Sequence, residues 1–136
     1  FHQSNQERRA DEYGPMLRDL LRDGLKVDAV TYSRALERRL RFQADAYALS
    51  RRADVLLTPT TPTPAPADLA DTGSAIFQGP WTSCGLPTIT IPSGLSSTGL
   101  PLGIQLIAAP FGEEHLLDAA RWCEKQLEVT LTPPLD

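Results

Sequence analysis

The chain is poor in cysteine, and its two thiols are far apart. Only Cys84 and Cys123 are cysteines among 136 residues, and neither belongs to a Cys-x-x-Cys or Cys/His spacing. A structural zinc site needs a local set of ligands, usually four, and a disulfide framework needs several pairs. The sequence therefore predicts no metal site and no disulfide scaffold.

Positive charge and long apolar runs are also scarce. The 13 Lys and Arg residues are outnumbered by 17 Asp and Glu residues, which gives a formal net charge of -4. Nucleic-acid binding calls for a basic surplus or a clustered basic face. A membrane span needs about 18 consecutive apolar residues, and neither such a run nor a signal-peptide pattern occurs. We expect no nucleic-acid partner, no membrane partner and a cytoplasmic location.

Groups that could carry catalysis are few. Any histidine-dependent mechanism must use His2 or His115, and His115 falls in the first turn of a predicted helix, where an exposed polar residue is usual. Cys84, just ahead of a predicted strand, has the setting of a small buried hydrophobe. Glycine-rich phosphate loops and the Gly-x-Ser-x-Gly elbow are absent from the sequence. Composition and spacing thus predict no catalytic residue and no cofactor.

The residues that are present predict an α/β fold, a piece of mixed sheet flanked by helices. With 136 residues, 41% of them hydrophobic, the chain has the length of one domain or of a fragment. Its first residue is Phe rather than Met, and helix-compatible residues follow without a cap, which indicates a fragment or a processed product. We predict a helical region over 1–53, a strand over 54–58, a proline-rich loop over 59–73 and a strand-strand-helix region over 74–136.

Two helices are predicted in the first region. Pro15 suits the first turn of a short helix, and Gly24 suits its end. Asp28 can accept hydrogen bonds from the free amides of a second, longer helix that runs to about Ala53. Its predicted inward stripe consists of Ala35, Leu36, Leu40, Gln43, Ala44, Tyr47 and Ala48.

The most informative segment runs from Gly85 to Leu117. Two Gly-Leu-Pro sequences, at Gly85 and Gly99, each place a proline without an amide hydrogen just ahead of an aliphatic run. Residues 88–91 alternate as in a strand, and residues 102–107 are apolar on both faces. The strand-strand-helix order follows, with the second strand covered on both sides.

These motifs resemble those in the C-terminal third of amidase signature enzymes. The resemblance rests on Pro80–Gly94, on Gly99–Ile107 and on Phe111–Leu117. Upstream, Tyr13–Pro15 and Asp54–Thr60 are similar to family segments in the same order, so almost the whole chain is covered. The resemblance implies the C-terminal part of the amidase signature fold. The family includes bacterial amidases, fatty acid amide hydrolase and the amidase subunit of tRNA-dependent amidotransferase.

The resemblance implies carbon–nitrogen amide chemistry with the catalytic groups elsewhere. Family members use a Ser, cis-Ser, Lys triad that lies in the N-terminal half of the family fold. The lysines of this chain, Lys26 and Lys125, stand in contexts unlike that motif. By resemblance, Phe77, Trp81 and Thr82 line a substrate pocket, whereas core packing is an equal alternative for Phe77 and Trp81. Gln105 is a recurrent family residue and is interpreted as structural.

Two functions follow as hypotheses. The first is the C-terminal portion of an amidase that acts on a small amide substrate, with a serine nucleophile outside this chain and the rest of the polypeptide as its partner; the isolated chain would be inactive. The second is a noncatalytic amidase-like module that binds a partner or a small amide. Self-association would then cover the apolar strand 102–107.

Overall fold

A computed structural model describes residues 2–131, apart from the side chains of Gln3 and Gln6. The chain divides into two compact units, one ending at Arg38 and the other beginning at Arg39. The ends of the first and last predicted regions, residue 1 and residues 132–136, lie outside the described residues. Over the described range, no helix combines the length and the hydropathy needed to cross a membrane.

The first unit is helical. Helix α1 is Gln3–Arg8, a single 3-10 turn covers Ala10–Glu12, and α2 is Pro15–Leu25. Pro15 occupies the first turn of α2, where its missing amide hydrogen leaves no helical bond unmade. The predicted stop at Gly24 falls one residue short, because Gly24 lies inside the helix.

Helix α3, Ala29–Ser50, begins where the sequence predicts. The Asp28 carboxylate accepts hydrogen bonds from the Thr31 amide at 2.8 Å and from the Thr31 hydroxyl at 2.9 Å. These bonds, the backbone one foremost, lower the pKa of Asp28, because they favour its charged form. The predicted role of Asp28 as an N-terminal cap is therefore confirmed.

The inward face of α3 differs from the predicted stripe. Ala46 and Ser50 are buried and Gln43 and Tyr47 are half-buried, whereas Ala44 and Ala48 are exposed. Gln43 Nε2 and the Tyr47 hydroxyl both donate to the carbonyl of Cys84, at 2.8 and 3.1 Å. The orientation of this half of the helix thus follows from polar contacts as well as from apolar ones, which a count of apolar residues could not show.

In the described part of the second unit, three strands form one sheet. They are β1 (Leu56–Pro59), β2 (Thr88–Leu95) and β3 (Pro101–Ile107), in the order β1-β3-β2. Both pairings are antiparallel; Leu106 faces Leu57 on one side and Ile89 on the other. The predicted α/β class is confirmed, and any parallel pairing in a mixed sheet would require strands other than these three.

Helices cover both faces of this sheet. Helix α5 (Glu113–Leu127) packs on one face, and the C-terminal part of α3 packs on the other with α4 (Gly79–Cys84). We call the first cluster the α5-side core; its buried members are Ile91, Leu106, Ala108, Leu116 and Ala120. The second is the α3-side core, with buried members Ala46, Cys84, Leu86 and Ile107. Adjacent residues Leu106 and Ile107 enter different cores, so the predicted cover on both sides of β3 is confirmed.

The proline-rich loop crosses the polar part of the sheet. Across residues 60–78, all of which the structure describes, neither helix nor strand occurs. The loop begins with a hydrogen bond from the Thr60 amide to the Gly103 carbonyl at 3.0 Å, and the Thr60 hydroxyl lies 3.3 Å from that of Thr90. The start of the loop is therefore fixed against both β2 and β3.

Gly103 allows this close approach, and its replacement by alanine tests it. An added Cβ would lie 2.9 Å from Thr60 Oγ1 and 3.0 Å from Thr90 Cγ2, so both threonines would have to move. We expect Gly103→Ala to lower the free energy of unfolding by about 1–3 kcal/mol. In α2, Gly24 has open space around it, so Gly24→Ala should raise the free energy of unfolding by about 0.5–1 kcal/mol. Denaturant unfolding of both variants checks this; equal effects of the same sign would contradict it.

Candidate functional site

The three predicted substrate-binding residues lie at and just before α4. Phe77 precedes the helix, and Trp81 and Thr82 are inside it. Phe77 and Trp81 are half-buried, and Thr82 is exposed. Helix α4 ends at Cys84, and the next residue, Gly85, has a left-handed backbone (φ 69°) that suits glycine and turns the chain toward β2. The short helix therefore presents this segment beside the sheet.

Trp81 also contributes to the core. Its side chain packs against the α3-side core together with Tyr47 and Leu56. The Trp81 carbonyl accepts from the Leu86 amide at 3.2 Å, which secures the turn after the helix. Trp81 therefore has packing partners within this chain. Substrate contact by Phe77, Trp81 and Thr82 stays a prediction.

Gln105 links the Phe77 segment to the middle of the sheet. It is 2% exposed, on the central strand β3, between Thr58 of β1 and Thr90 of β2 in register. Its Nε2 donates to the carbonyl of Phe77 at 3.1 Å and contacts the Thr58 hydroxyl at 3.4 Å. The sequence identified Gln105 as structural but could not show what it holds. The structure shows that Gln105 holds the backbone of Phe77 in place through this hydrogen bond.

A cavity of about 680 Å³ lies between the proline-rich loop and the polar face of the sheet. Its floor includes Thr90 and Gly103 of the strands, and its walls come from loop residues 60–74. Hydroxyl-bearing residues line it from both parts, namely Thr60, Thr61, Thr63, Thr72, Ser74 and Thr90. This volume is within the range of small-molecule sites. Sequence reasoning missed the cavity, although the repeated threonines among prolines were a visible signal.

Among residues 2–131, the two thiols and the imidazole of His115 form no nucleophile–base pair. The Cys84 side chain is completely buried, as expected for a small hydrophobe, and Cys123 is partly buried; neither is in a disulfide. His115 is exposed, with Nε2 3.9 Å from Asp54 Oδ1. Among residues 2–131, no group of three or more His, Cys, Asp or Glu side chains is placed to hold a metal ion.

Both lysines of the chain are on its surface. A neutral lysine requires burial or nearby positive charge to lower its pKa. Lys26 is exposed, and its Nζ lies 2.7 Å from Asp23 Oδ1. Lys125 is exposed on α5. Within the described residues, neither lysine is buried.

Comparison with known proteins gives consistent matches. The family model described as Amidase matches residues 2–117. One subunit of the glutamyl-tRNA(Gln) amidotransferase of Bartonella quintana (strain Toulouse) is 46% identical over 84 residues, covering 54% of this chain and 17% of that relative. AmiD of Mycobacterium bovis (strain ATCC BAA-935 / AF2122/97), named as an amidase, is 33% identical over 126 residues, covering 85% of this chain and 26% of its own length.

A solved structure supports the same relationship. A vestigial protein complex described as revealing the evolutionary origins of an s-triazine catabolic enzyme contains a chain with a TM-score of 0.81 and 27% identity to this one. The match covers 92% of this chain and 30% of that one. The chain thus spans about a quarter or less of the curated relatives described above, and under a third of this structural neighbour.

Proposed function

Because the chain belongs to the amidase (amidase signature) family, we propose that it is the C-terminal portion of an enzyme that hydrolyses carbon–nitrogen amide bonds. The observation that carries the proposal is the family match over residues 2–117, almost the whole chain. The reaction is that of the family: a serine oxygen attacks the amide carbonyl, the nitrogen leaves with a proton, and water then releases the acid from the acyl-enzyme.

The catalytic serine and lysine lie outside this chain. The limited share of its relatives that the chain spans, 17% and 26%, supports this location. It is also supported by the two exposed lysines and by the buried thiol of Cys84. What this chain contributes is scaffold and pocket wall: Gln105 anchors Phe77, and α4 carries Trp81 and Thr82 beside the substrate.

The rest of the amidase polypeptide is the proposed partner. In the first unit, α2 has no buried residue, and its side chains Met16 and Leu20 are 80% and 68% exposed. An exposed apolar surface of this kind is typical of a protein–protein contact, here with the rest of the polypeptide. Self-association through β3 is less favoured, since helices of this chain already cover both faces of that strand. Two unpaired cysteines are compatible with a cytoplasmic setting, which we propose for the enzyme.

The test compares this chain with the longest polypeptide encoded by its gene. We expect the longer polypeptide to hydrolyse simple primary amides and to react with a fluorophosphonate probe for active serines. The 136-residue chain alone should do neither. Ammonia release and mass spectrometry of the labelled protein are the measurements. Turnover by the short chain would contradict the location of the serine, and an inert long polypeptide would contradict the amidase proposal itself.

A further inference from the structure

The cavity between the proline-rich loop and the sheet has walls of mixed chemistry. Apolar residues of the wall are Pro64, Pro66, Leu69, Pro92 and Leu102, and the threonine and serine residues described above line the same cavity. Such a combination, largely apolar with a few directional polar groups, is typical of sites for small organic molecules. The volume of about 680 Å³ leaves room for a chain of several carbon atoms.

The shape of the cavity depends on named backbone features. Gly103 forms part of the floor, and a Cβ at this position would occupy the space between Thr60 and Thr90. Opposite, the loop is held by two local bonds: Asp68 Oδ1 accepts from the Ala70 amide at 2.9 Å, and Asp71 Oδ1 accepts from the Gly73 amide at 2.8 Å. The cavity is therefore built by both the sheet and an internally bonded loop.

The charges at the cavity are of one sign. Asp68 and Asp71 line it, and within the described residues no Lys, Arg or His is part of its wall. Each aspartate accepts a hydrogen bond from a loop amide through Oδ1. This bond holds the carboxylate, and its negative charge, in the loop that lines the cavity. An anionic ligand would meet repulsion from two carboxylates and no compensating cation.

We propose that this cavity binds the non-reacting part of the amide substrate and selects for an uncharged or cationic group over a carboxylate. The proposal rests on the amidase function proposed above and specifies its substrate class. The row Thr58, Gln105 and Thr90 connects the cavity to Phe77: Thr90 lines the cavity, and Gln105 binds the Phe77 carbonyl. Gln105 thus ties the Phe77 segment to the same row of the sheet that reaches the cavity at Thr90.

The test uses the full polypeptide and three primary amides of matched length: 6-aminohexanamide, hexanamide and adipamic acid. We expect kcat/KM for adipamic acid to be about tenfold or more below that for the other two at low salt, because of like-charge repulsion. In the double variant Asp68→Asn, Asp71→Asn the disadvantage of adipamic acid should fall to about threefold or less. Asparagine keeps the Oδ1 acceptors for Ala70 and Gly73, so the loop is retained. The double variant Glu114→Gln, Asp118→Asn removes two exposed carboxylates of α5 outside the cavity; it is the charge-matched control and should change nothing.

A second variant tests occupancy rather than charge. Thr72 is an exposed residue of the cavity wall, so Thr72→Phe adds volume there without entering either core. We expect it to raise KM about tenfold for hexanamide and 6-aminohexanamide. Turnover of all three amides with equal kcat/KM, or unchanged KM in Thr72→Phe, would overturn the cavity assignment and leave the amidase function standing. No turnover of any amide would overturn both.

Discussion

Replacing Leu106 by alanine is expected to lower the free energy of unfolding by about 2–5 kcal/mol, because a completely buried side chain at the centre of the α5-side core is removed. The cost combines lost burial with the cavity left between the sheet and α5. Urea unfolding followed by circular dichroism measures it, in the 136-residue chain or in the longer polypeptide.

The same strand provides the control for this experiment. Leu102 is 38% exposed, so Leu102→Ala removes an equal number of atoms from the same strand but should cost less than about 1 kcal/mol. If the two substitutions cost the same, the assignment of Leu106 to the core is wrong. A change confined to the slope against urea concentration would also contradict it, since that reports a change in the unfolded ensemble.

Replacing Gln105 by methionine is expected to cost about 1–3 kcal/mol, because the Phe77 carbonyl loses its donor while the volume of the side chain is kept. The amides of residues 77–82 should also exchange with solvent faster, since this segment loses its anchor to β3. Unfolding measurements and hydrogen–deuterium exchange check the two effects separately.

Gln43→Met is the matched control. The Cys84 carbonyl accepts from Gln43 and also from the Tyr47 hydroxyl, so one donor remains after the substitution. We expect a loss of at most about 1 kcal/mol and unchanged exchange at residues 77–82. If Gln43→Met speeds exchange of that segment as much as Gln105→Met does, then Gln105 is not its specific anchor.

The elements that the sequence predicts well are those with local signals. Both strands of the β2–β3 pair begin close to a Gly-Leu-Pro sequence, and the Asp28 cap needs only Thr31, three residues away. In each case the deciding interaction lies within one turn or one strand. The covered faces of β3 could be predicted for the same reason, because the adjacent apolar residues Leu106 and Ile107 point to opposite faces of one strand.

The features that the sequence does not reveal depend on distant partners. Gln105 and Phe77 are separated along the chain by α4 and β2, so no periodicity connects them. The inward face of α3 depends on hydrogen bonds from Gln43 and Tyr47 to the carbonyl of Cys84. A backbone carbonyl has no sequence signal. The cavity likewise forms only in the folded chain, where the Thr60 amide binds the carbonyl of the distant residue Gly103. A linear pattern identifies the loop but not the surface that the loop encloses.

The strand order β1-β3-β2 has a consequence for synthesis on the ribosome. The hairpin of β2 and β3 closes between Leu95 and Pro101, whereas Leu56 of β1 pairs with Ile107, about fifty residues further on. Because synthesis adds about 5–20 residues per second, β3 is completed roughly 3–10 seconds after β1. During that interval Leu56 and Leu57 lack the strand that pairs with them in the folded sheet. Pro59, the last residue of β1, and Pro62, three residues later, lack an amide hydrogen and so limit wrong pairing of this early segment with other nascent chains.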